Sequence, residues 1–252
     1  MYFPYPGFFH KLRLADVFVI MDDVQYDKRF TNRNFILDPN GPTRLTVPIN
    51  KQQKFSQNMV VQINNALPWA EYHWTKIHMC YANAKFFRLY SDYFEKLYKR
   101  QWDLLFDLDF ETVKKMMDWL NIRIPVIRES ELNIGGEGTH RLINVCKSLG
   151  ADTYISGRGG KNYMDEKLFE SNHITLEYQN YKPIAYPQRF TKTFVPDLST
   201  IDLLANMGPN AAEVLSSKQL VSADQIEPIP AEAVRSLPTI TSIERKGEYL
   251  LR

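Results

Sequence analysis

A chain of 252 residues, 44% hydrophobic and 24% charged, has the make-up of an ordinary globular protein, long enough for one large domain or two small ones. A formal net charge of +2 gives no electrostatic case for nucleic acid, and no run of about 18 apolar residues exists to cross a membrane. The two cysteines, Cys80 and Cys146, sit among apolar neighbours as reduced buried thiols do, and the N-terminus lacks a basic segment followed by an apolar one, so a cytoplasmic location is expected.

Residues 2–9 read YFPYPGFF. Five aromatics with two prolines and a glycine predict a shaped turn pinned by packing, ahead of a short helix from Phe8 to Leu14. His10 lies on that helix, either as an acid–base group or as a surface histidine. Asp16 to Met21 (DVFVIM) is a near-continuous apolar run suited to a central parallel strand. Asp22, Asp23 and Gln25 come straight after it, where α/β sheets collect ligands. Paired carboxylates there can accept a proton, orient a hydroxyl or amine, or hold a metal; the plain alternative is a solvated cap. Lys28, Arg29, Arg33 and Asn34 follow, forming a salt-bridge network or a site for a charged ligand such as a nucleotide.

Arg33 to Leu37 and Thr43 to Ile49 flank Asp38-Pro39-Asn40-Gly41, a strong β-hairpin signal. Pro48 marks the second arm as an edge. Residues 50–57 read as a mobile surface loop and Met59 to Ile63 as one more short strand. Three amphipathic helices are predicted over about 68–84, 86–99 and 103–120, a helical layer that serves as scaffold. His73 and His78, five apart, do not share a face as an i, i+4 metal pair does, and no zinc motif is visible.

Pro125 to Ile127 is a short strand, Gly135 to Gly138 a glycine loop, and Thr139 to Leu149 a helix, with Thr139 as N-cap and Gly150 just past its end. Then comes TYISGRGGKNYMD, Thr153 to Asp165: a strand, a glycine loop and a helix with Asp165 and Glu166 in its first turn. Glycines admit positive φ, and free amides beside Arg158 and Lys161 can hold a phosphate or carboxylate. The alternative is a tight turn with two solvated cations; the spacing fits neither a dinucleotide fingerprint nor a P-loop. Ile174 to Tyr178 supplies another strand. The proline- and aromatic-rich loop from Tyr181 suits a functional or partner surface. A short helix, Ile201 to Met207, closes at Gly208-Pro209, and residues 210–218 extend helically. The expected architecture is an α/β domain over 1–222 with a mostly parallel sheet, a helical insertion at about 68–120 and a β-hairpin. Residues 223–252 form an extension that packs loosely or onto another subunit of a homo-oligomer.

Taken together, YFPYPGFF, DVFVIMDDVQYDKR, NRN, LTVPI, RLINVCKSLGADTYISGRGGKNYMD, YPQRF and FVPDLSTIDLLANMG resemble the WbqC-like protein family over residues 2 to 208. Members usually carry a short strand and a glutamine ahead of the aromatic turn, with which this chain begins. The resemblance implies a place among surface-polysaccharide and O-antigen (lipopolysaccharide) proteins. The expected role is a transferase that modifies a nucleotide-linked sugar, with an acyl or aminoacyl donor and a sugar amine or hydroxyl as acceptor. On the reading of the residues, Gly157, Arg158, Gly159 and Lys161 would hold the diphosphate, with Ser156, Gly160 and Tyr163 beside them in the substrate site. Asp22, Asp23 and His10 would handle the proton, and Gln25, Arg29, Arg33 and Asn34 would position polar groups. With no nucleophile signature, transfer is expected to be direct. A weaker resemblance, to nucleotide-binding α/β enzymes with a HIGH-type loop, suggests an ATP- and Mg²⁺-dependent nucleotidyltransferase, although Phe8 and Phe9 stand where that loop has histidines. A third possibility is a non-catalytic module of a polysaccharide-synthesis assembly, with the loop at 181–196 as contact surface. The single-site scheme requires the aromatic turn and the 157–161 loop to face one cleft.

Overall fold

The computed structural model describes residues 1–27, 31–50, 53, 56–216, 220–222 and 248–251. In chain order its elements are α1 (Pro6–Leu12), β1 (Val17–Ile20), β2 (Arg33–Asp38), β3 (Gly41–Thr46), α2 (Trp69–Tyr81), α3 (Ser91–Lys99), α4 (Leu105–Trp119), β4 (Val126–Arg128), α5 (Gly138–Ser148), β5 (Thr153–Ser156), α6 (Glu166–Ser171), β6 (Thr175–Gln179), α7 (Thr200–Met207), α8 (Ala211–Val214), β7 (Leu220–Ser222) and β8 (Glu248–Leu251). They fall into two compact units. The first takes residues 1–9, 26–122 and 183–216, and the second 10–25, 123–182 and the described part of 217–252.

The first unit is built on the hairpin and the helical layer. β2 and β3 pair antiparallel from Arg33↔Thr46 to Asp38↔Gly41, and Gly41 takes a φ of +113° that a side chain would resist. Tyr81 of α2, Phe94 of α3 and Phe87, in the 3-10 turn Phe87–Leu89 between them, are fully buried, and Phe87 stacks on Phe94 at 6.0 Å between ring centres. The aromatic opening is pinned as expected. Tyr2 and Phe3 are buried, the Tyr2 amide donates to the Thr31 carbonyl (2.9 Å), and the Tyr2 phenol meets His73 Nδ1 (2.9 Å) and the Tyr98 hydroxyl. The strand expected at 59–63 is instead a 3-10 turn, Asn58–Val60, with single bridges Ile49↔Ile63 and Gln62↔Leu104. Gln53 ties this turn to its own loop by accepting from the Gln62 amide at 2.7 Å, while positions 51, 52, 54 and 55 lie outside the described residues.

The loop at 183–199 is organised by a buried carboxyl that has no signature in the sequence. Asp202, on α7, accepts from Tyr81 (3.0 Å), Tyr186 (2.9 Å) and Gln188 (2.8 Å) and is fully buried. Gln188 also accepts from the Val195 amide and donates to its carbonyl, closing the loop on itself. Gly208 ends α7 at φ +58°, where a Cβ would overlap the Phe86 ring, so glycine is required there.

The second unit is a six-stranded sheet in the order β4-β1-β8-β5-β6-β7. β1 pairs parallel with β4, and β5 with β6, while β8 runs antiparallel between β1 and β5. The four winding strands β1, β4, β5 and β6 therefore all point the same way. Only β7 and β8, from the end of the chain, oppose them. The α/β class, the hairpin and the helical insertion are as expected from the sequence. The loose packing expected after residue 222 does not describe Glu248–Leu251, which fills the middle of the sheet; residues 223–247 lie outside the described residues. β1 is covered on both faces, as its unbroken apolar run requires: Val19 packs with Leu142, Ile143 and Cys146 of α5 and Tyr154 of β5 on one face, and Phe18 is equally buried on the other.

Glu137, not Thr139, occupies the N-cap of α5, because Gly136 (φ +107°) and Gly138 (φ +50°) turn the chain two residues earlier than the composition suggests. The Thr139 hydroxyl instead accepts from the Asp165 amide (3.1 Å). Asp165 lies just before α6 and caps it by accepting from the Leu168 amide (3.1 Å). Gly150 follows α5 at φ +66° as expected.

Candidate functional site at the carboxyl edge of the second unit

Because β1, β4, β5 and β6 are codirectional, their carboxyl ends share one edge of the sheet. Asp22-Asp23 follow β1, Glu129-Ser130 follow β4, the glycine turn follows β5, and Gln179 closes β6. The strand order reverses between β1 and β5, the position at which open α/β sheets bind ligands; here β8 lies between them.

The two aspartates divide sharply. Asp22 is fully buried and saturated: Oδ1 accepts from the Ser130 amide (2.9 Å), and Oδ2 from the Ser130 hydroxyl (2.7 Å) and Arg128 Nε (2.7 Å). Burial alone would raise its pKa, but the two Ser130 bonds and the Arg128 guanidinium outweigh it and hold the carboxyl below the ordinary range. Asp22 locks the ends of β1 and β4 together. Asp23 keeps 32% of its side chain exposed and is held by Arg141 Nη2 at 3.2 Å. Arg141 Nε in turn pairs with Glu129 Oε1. Glu129 is buried, and its Oε2 has no hydrogen-bond partner. Burial raises the Glu129 pKa against the pull of Arg141, helped by the nearby charges of Asp23 and Asp22. The edge thus holds one depressed carboxyl, one raised and one exposed, with Arg141 bridging the last two.

Glu129, Ser130, Arg128 and Arg141 are absent from the sequence reading. The rule that singles out Asp22 and Asp23, a carboxylate directly after a short strand, also marks Glu129 after Pro125–Ile127. Arg141 carries no comparable signal, since a basic residue on an amphipathic helix is ordinarily solvated.

The glycine turn differs from expectation. Gly157 lies at φ −79°, and none of Gly157, Gly159 and Gly160 takes positive φ. Arg158–Asn162 is a 3-10 turn whose amides are partly consumed inside it: Gly160 donates to the Gly157 carbonyl (3.1 Å), and Tyr163 and Met164 donate to the Gly160 carbonyl (3.1 and 2.9 Å). The glycine at 160 is needed for closeness: a Cβ there would overlap Ser156 Oγ and press on Met164. Ser156 is buried and donates to the Gly157 carbonyl (2.9 Å). Lys161 is neutralised by Glu166 (2.6 Å), so Arg158, exposed at the tip, is the cation this turn offers. Tyr163 is half-buried against the core beneath α5 and α6. Gly160→Ala is expected to cost about 1–3 kcal/mol by overpacking. Adding Ser156→Gly should restore much of that loss, and a double-mutant cycle in denaturant that shows simple additivity would refute the contact.

His10 is not a surface residue. It is fully buried, its Nδ1 lies 2.6 Å from Gln179 Nε2, and its ring packs on Tyr181 at 5.1 Å between centres. Gln25 is exposed beyond the end of β1. Arg33 and Asn34 belong to the first unit. Asn34 serves the fold, donating to the Phe3 carbonyl (2.6 Å) and accepting from the Phe35 amide (2.8 Å). Arg29 and Lys28 lie outside the described residues. Asp22 and Asp23 each face a guanidinium, a poor donor set for Mg²⁺, and among the described residues no group of three or more His, Cys, Asp or Glu is arranged to hold a metal ion. Among the described residues no helix is long and apolar enough to cross a membrane.

Fold and edge together describe an α/β protein with a charged cluster at the carboxyl ends of its strands. The chain belongs to the WbqC-like protein family, whose profile matches residues 1–214. It is 29% identical over 216 residues to the uncharacterized protein Rv1507c of Mycobacterium tuberculosis, covering 85% of this chain and 94% of that one. No solved structure matches the chain.

Proposed function

We propose that the protein is a transferase that modifies a nucleotide-linked sugar in surface-polysaccharide biosynthesis, moving an acyl or aminoacyl group directly to a sugar amine or hydroxyl. Membership of the WbqC-like family supports the setting. The observation that carries the chemistry is the partly exposed Asp23, steadied by Arg141 between two buried carboxyls at the carboxyl edge of the sheet. A carboxylate so placed can be approached by a ligand, while Asp22 and Glu129 cannot.

In this scheme Asp23 takes the proton from the acceptor N–H or O–H as that atom attacks the donor carbonyl carbon. The bond from the carbonyl carbon to the leaving group breaks, and the leaving group departs with the electron pair and receives the proton back from Asp23. Arg141 orients Asp23, and Glu129 fixes Arg141 from behind. Asp22, Arg128 and Ser130 are positioning residues, and Arg158 is the cation for the ligand's phosphates. His10, sealed beneath Gln179, has no part in the proton transfer.

The test is a thermal-shift panel with UDP- and dTDP-sugars, CoA, acyl-CoA, and ATP with and without Mg²⁺, followed by mass spectrometry of the product. A nucleotide sugar at about 100 times its Kd should add roughly 2.7 kcal/mol of stability. Asp23→Asn should keep that binding and lose the mass shift of the acylated sugar. A response confined to ATP with Mg²⁺, with release of pyrophosphate, would overturn the proposal in favour of nucleotidyl transfer.

A further inference from the structure

The first unit holds two guanidiniums that the fold brings together and that form no ion pair among the described residues. Arg33 opens β2 and Arg44 lies in β3. Arg33 pairs with Thr46, and Phe35 with Arg44, so both arginines lie on the same face of the hairpin as diagonal neighbours. At that separation long side chains converge, and like charges there are unfavourable unless something anionic joins them. Neither arginine forms an ion pair with any described carboxylate.

The surroundings tie one guanidinium down without closing an ion pair on it among the described residues. Asn32 is buried, donates to the Val47 carbonyl at 2.7 Å, and accepts from Arg33 Nε at 3.2 Å. The buried Tyr26 phenol and the Asp27 carboxylate both act on the Arg33 charge, and Arg44 acts against it. Arg33 is half-buried, and burial is the largest influence lowering its pKa. Arg44 is exposed, so its guanidinium is open to a ligand. A half-buried guanidinium aligned through its Nε, an exposed partner on the same face and a phenol beside them make a fork that suits a tetrahedral oxyanion.

We propose that Arg33, Arg44 and Tyr26 form a phosphate-binding subsite that takes a diphosphate, either free or carried on a nucleoside. The subsite rests on the hairpin and does not depend on the transferase reading. Each arginine can donate two parallel N–H bonds to one phosphoryl group, and the two phosphoryls of a diphosphate match two guanidiniums better than one phosphate does.

The experiment is calorimetric titration of the full chain at low salt with inorganic pyrophosphate, UDP and uridine. Pyrophosphate and UDP should bind, and uridine should not. Arg44→Gln should weaken both about tenfold, the loss of one charge-assisted pair, and leave the unliganded melting temperature unchanged because the side chain is exposed. Arg33→Gln should weaken both at least as much, and Arg33→Lys should recover only part, since it keeps the charge and loses the fork. Lys85→Gln, a charge change elsewhere in the unit, should have no effect. UDP binding tighter than pyrophosphate would name a nucleotide as the source, and equal affinity would name the free diphosphate. The subsite is overturned if wild-type protein binds neither, or if Arg44→Gln and Lys85→Gln behave alike. Asp23→Asn, with pyrophosphate binding intact but transfer lost or never seen, bears on the transferase reading alone.

Discussion

Asp202→Ala is expected to destabilise the protein by about 3–5 kcal/mol, the largest single-residue effect outside the apolar core. The substitution leaves the buried Tyr81 and Tyr186 hydroxyls as donors without their acceptor and removes one of the two bonds donated by the part-buried Gln188 amide, which keeps the Val195 carbonyl. Each orphaned donor costs about 1–3 kcal/mol, less whatever relaxation recovers. Burial raises the Asp202 pKa, and the bonds from Gln188, Tyr186 and Tyr81 pull it back. Asp202→Asn retains the shape and one carbonyl acceptor but turns an N–H₂ toward donors, so an intermediate loss is expected. Denaturant unfolding of the two variants checks this, and a loss under about 1 kcal/mol for Asp202→Ala would show that the hub is dispensable. Because Gln188 also clasps both backbone groups of Val195, the loop at 183–199 should become protease-sensitive in the same variant.

The second large effect is a loss of about 3 kcal/mol of stability between pH 6.5 and about 4, attributable to His73. Burial drives its pKa down to about 4, against the raising influence of its bond to the Thr46 backbone. Below pH 6.5 an unfolded chain binds a proton on this histidine and the folded chain does not. Unfolding is therefore favoured progressively as the pH falls, until both states are protonated below about 4. The 2.5-unit gap between the ordinary value of 6.5 and about 4 corresponds to about 3 kcal/mol. His73→Gln keeps a polar partner for the Tyr2 phenol and should flatten this part of the profile. An unchanged slope in that variant would mean the pH dependence arises elsewhere.

Local patterns made much of the frame legible. The DVFVIM run, the Pro-Asn-Gly turn and the helical periodicities over 68–120 act over a few residues, where side-chain alternation and turn chemistry suffice. Of the candidate site, the sequence pointed to Asp22, Asp23 and the glycine turn because strand ends are visible in one dimension. It did not separate Asp22 from Asp23: the difference is that Ser130 and Arg128, more than a hundred residues away, close on one of them. It offered His10 as an acid–base group or a surface histidine and did not foresee its burial against Gln179, 169 residues along. It read the glycines at 157–160 as conformational freedom, whereas Gly160 is set by the approach of Ser156.

The sequence by itself determined the family, the elements and the places where chemistry could gather, since these follow from short-range sterics and apolar periodicity. Only the tertiary structure decided which charges are spent and which remain. Glu129 and Asp202 became buried carboxyls, Lys161 was neutralised, and Arg33 was set beside Arg44. The physical reason is that a charge's solvation and partners are properties of the packed surroundings, assembled here from segments far apart in the chain.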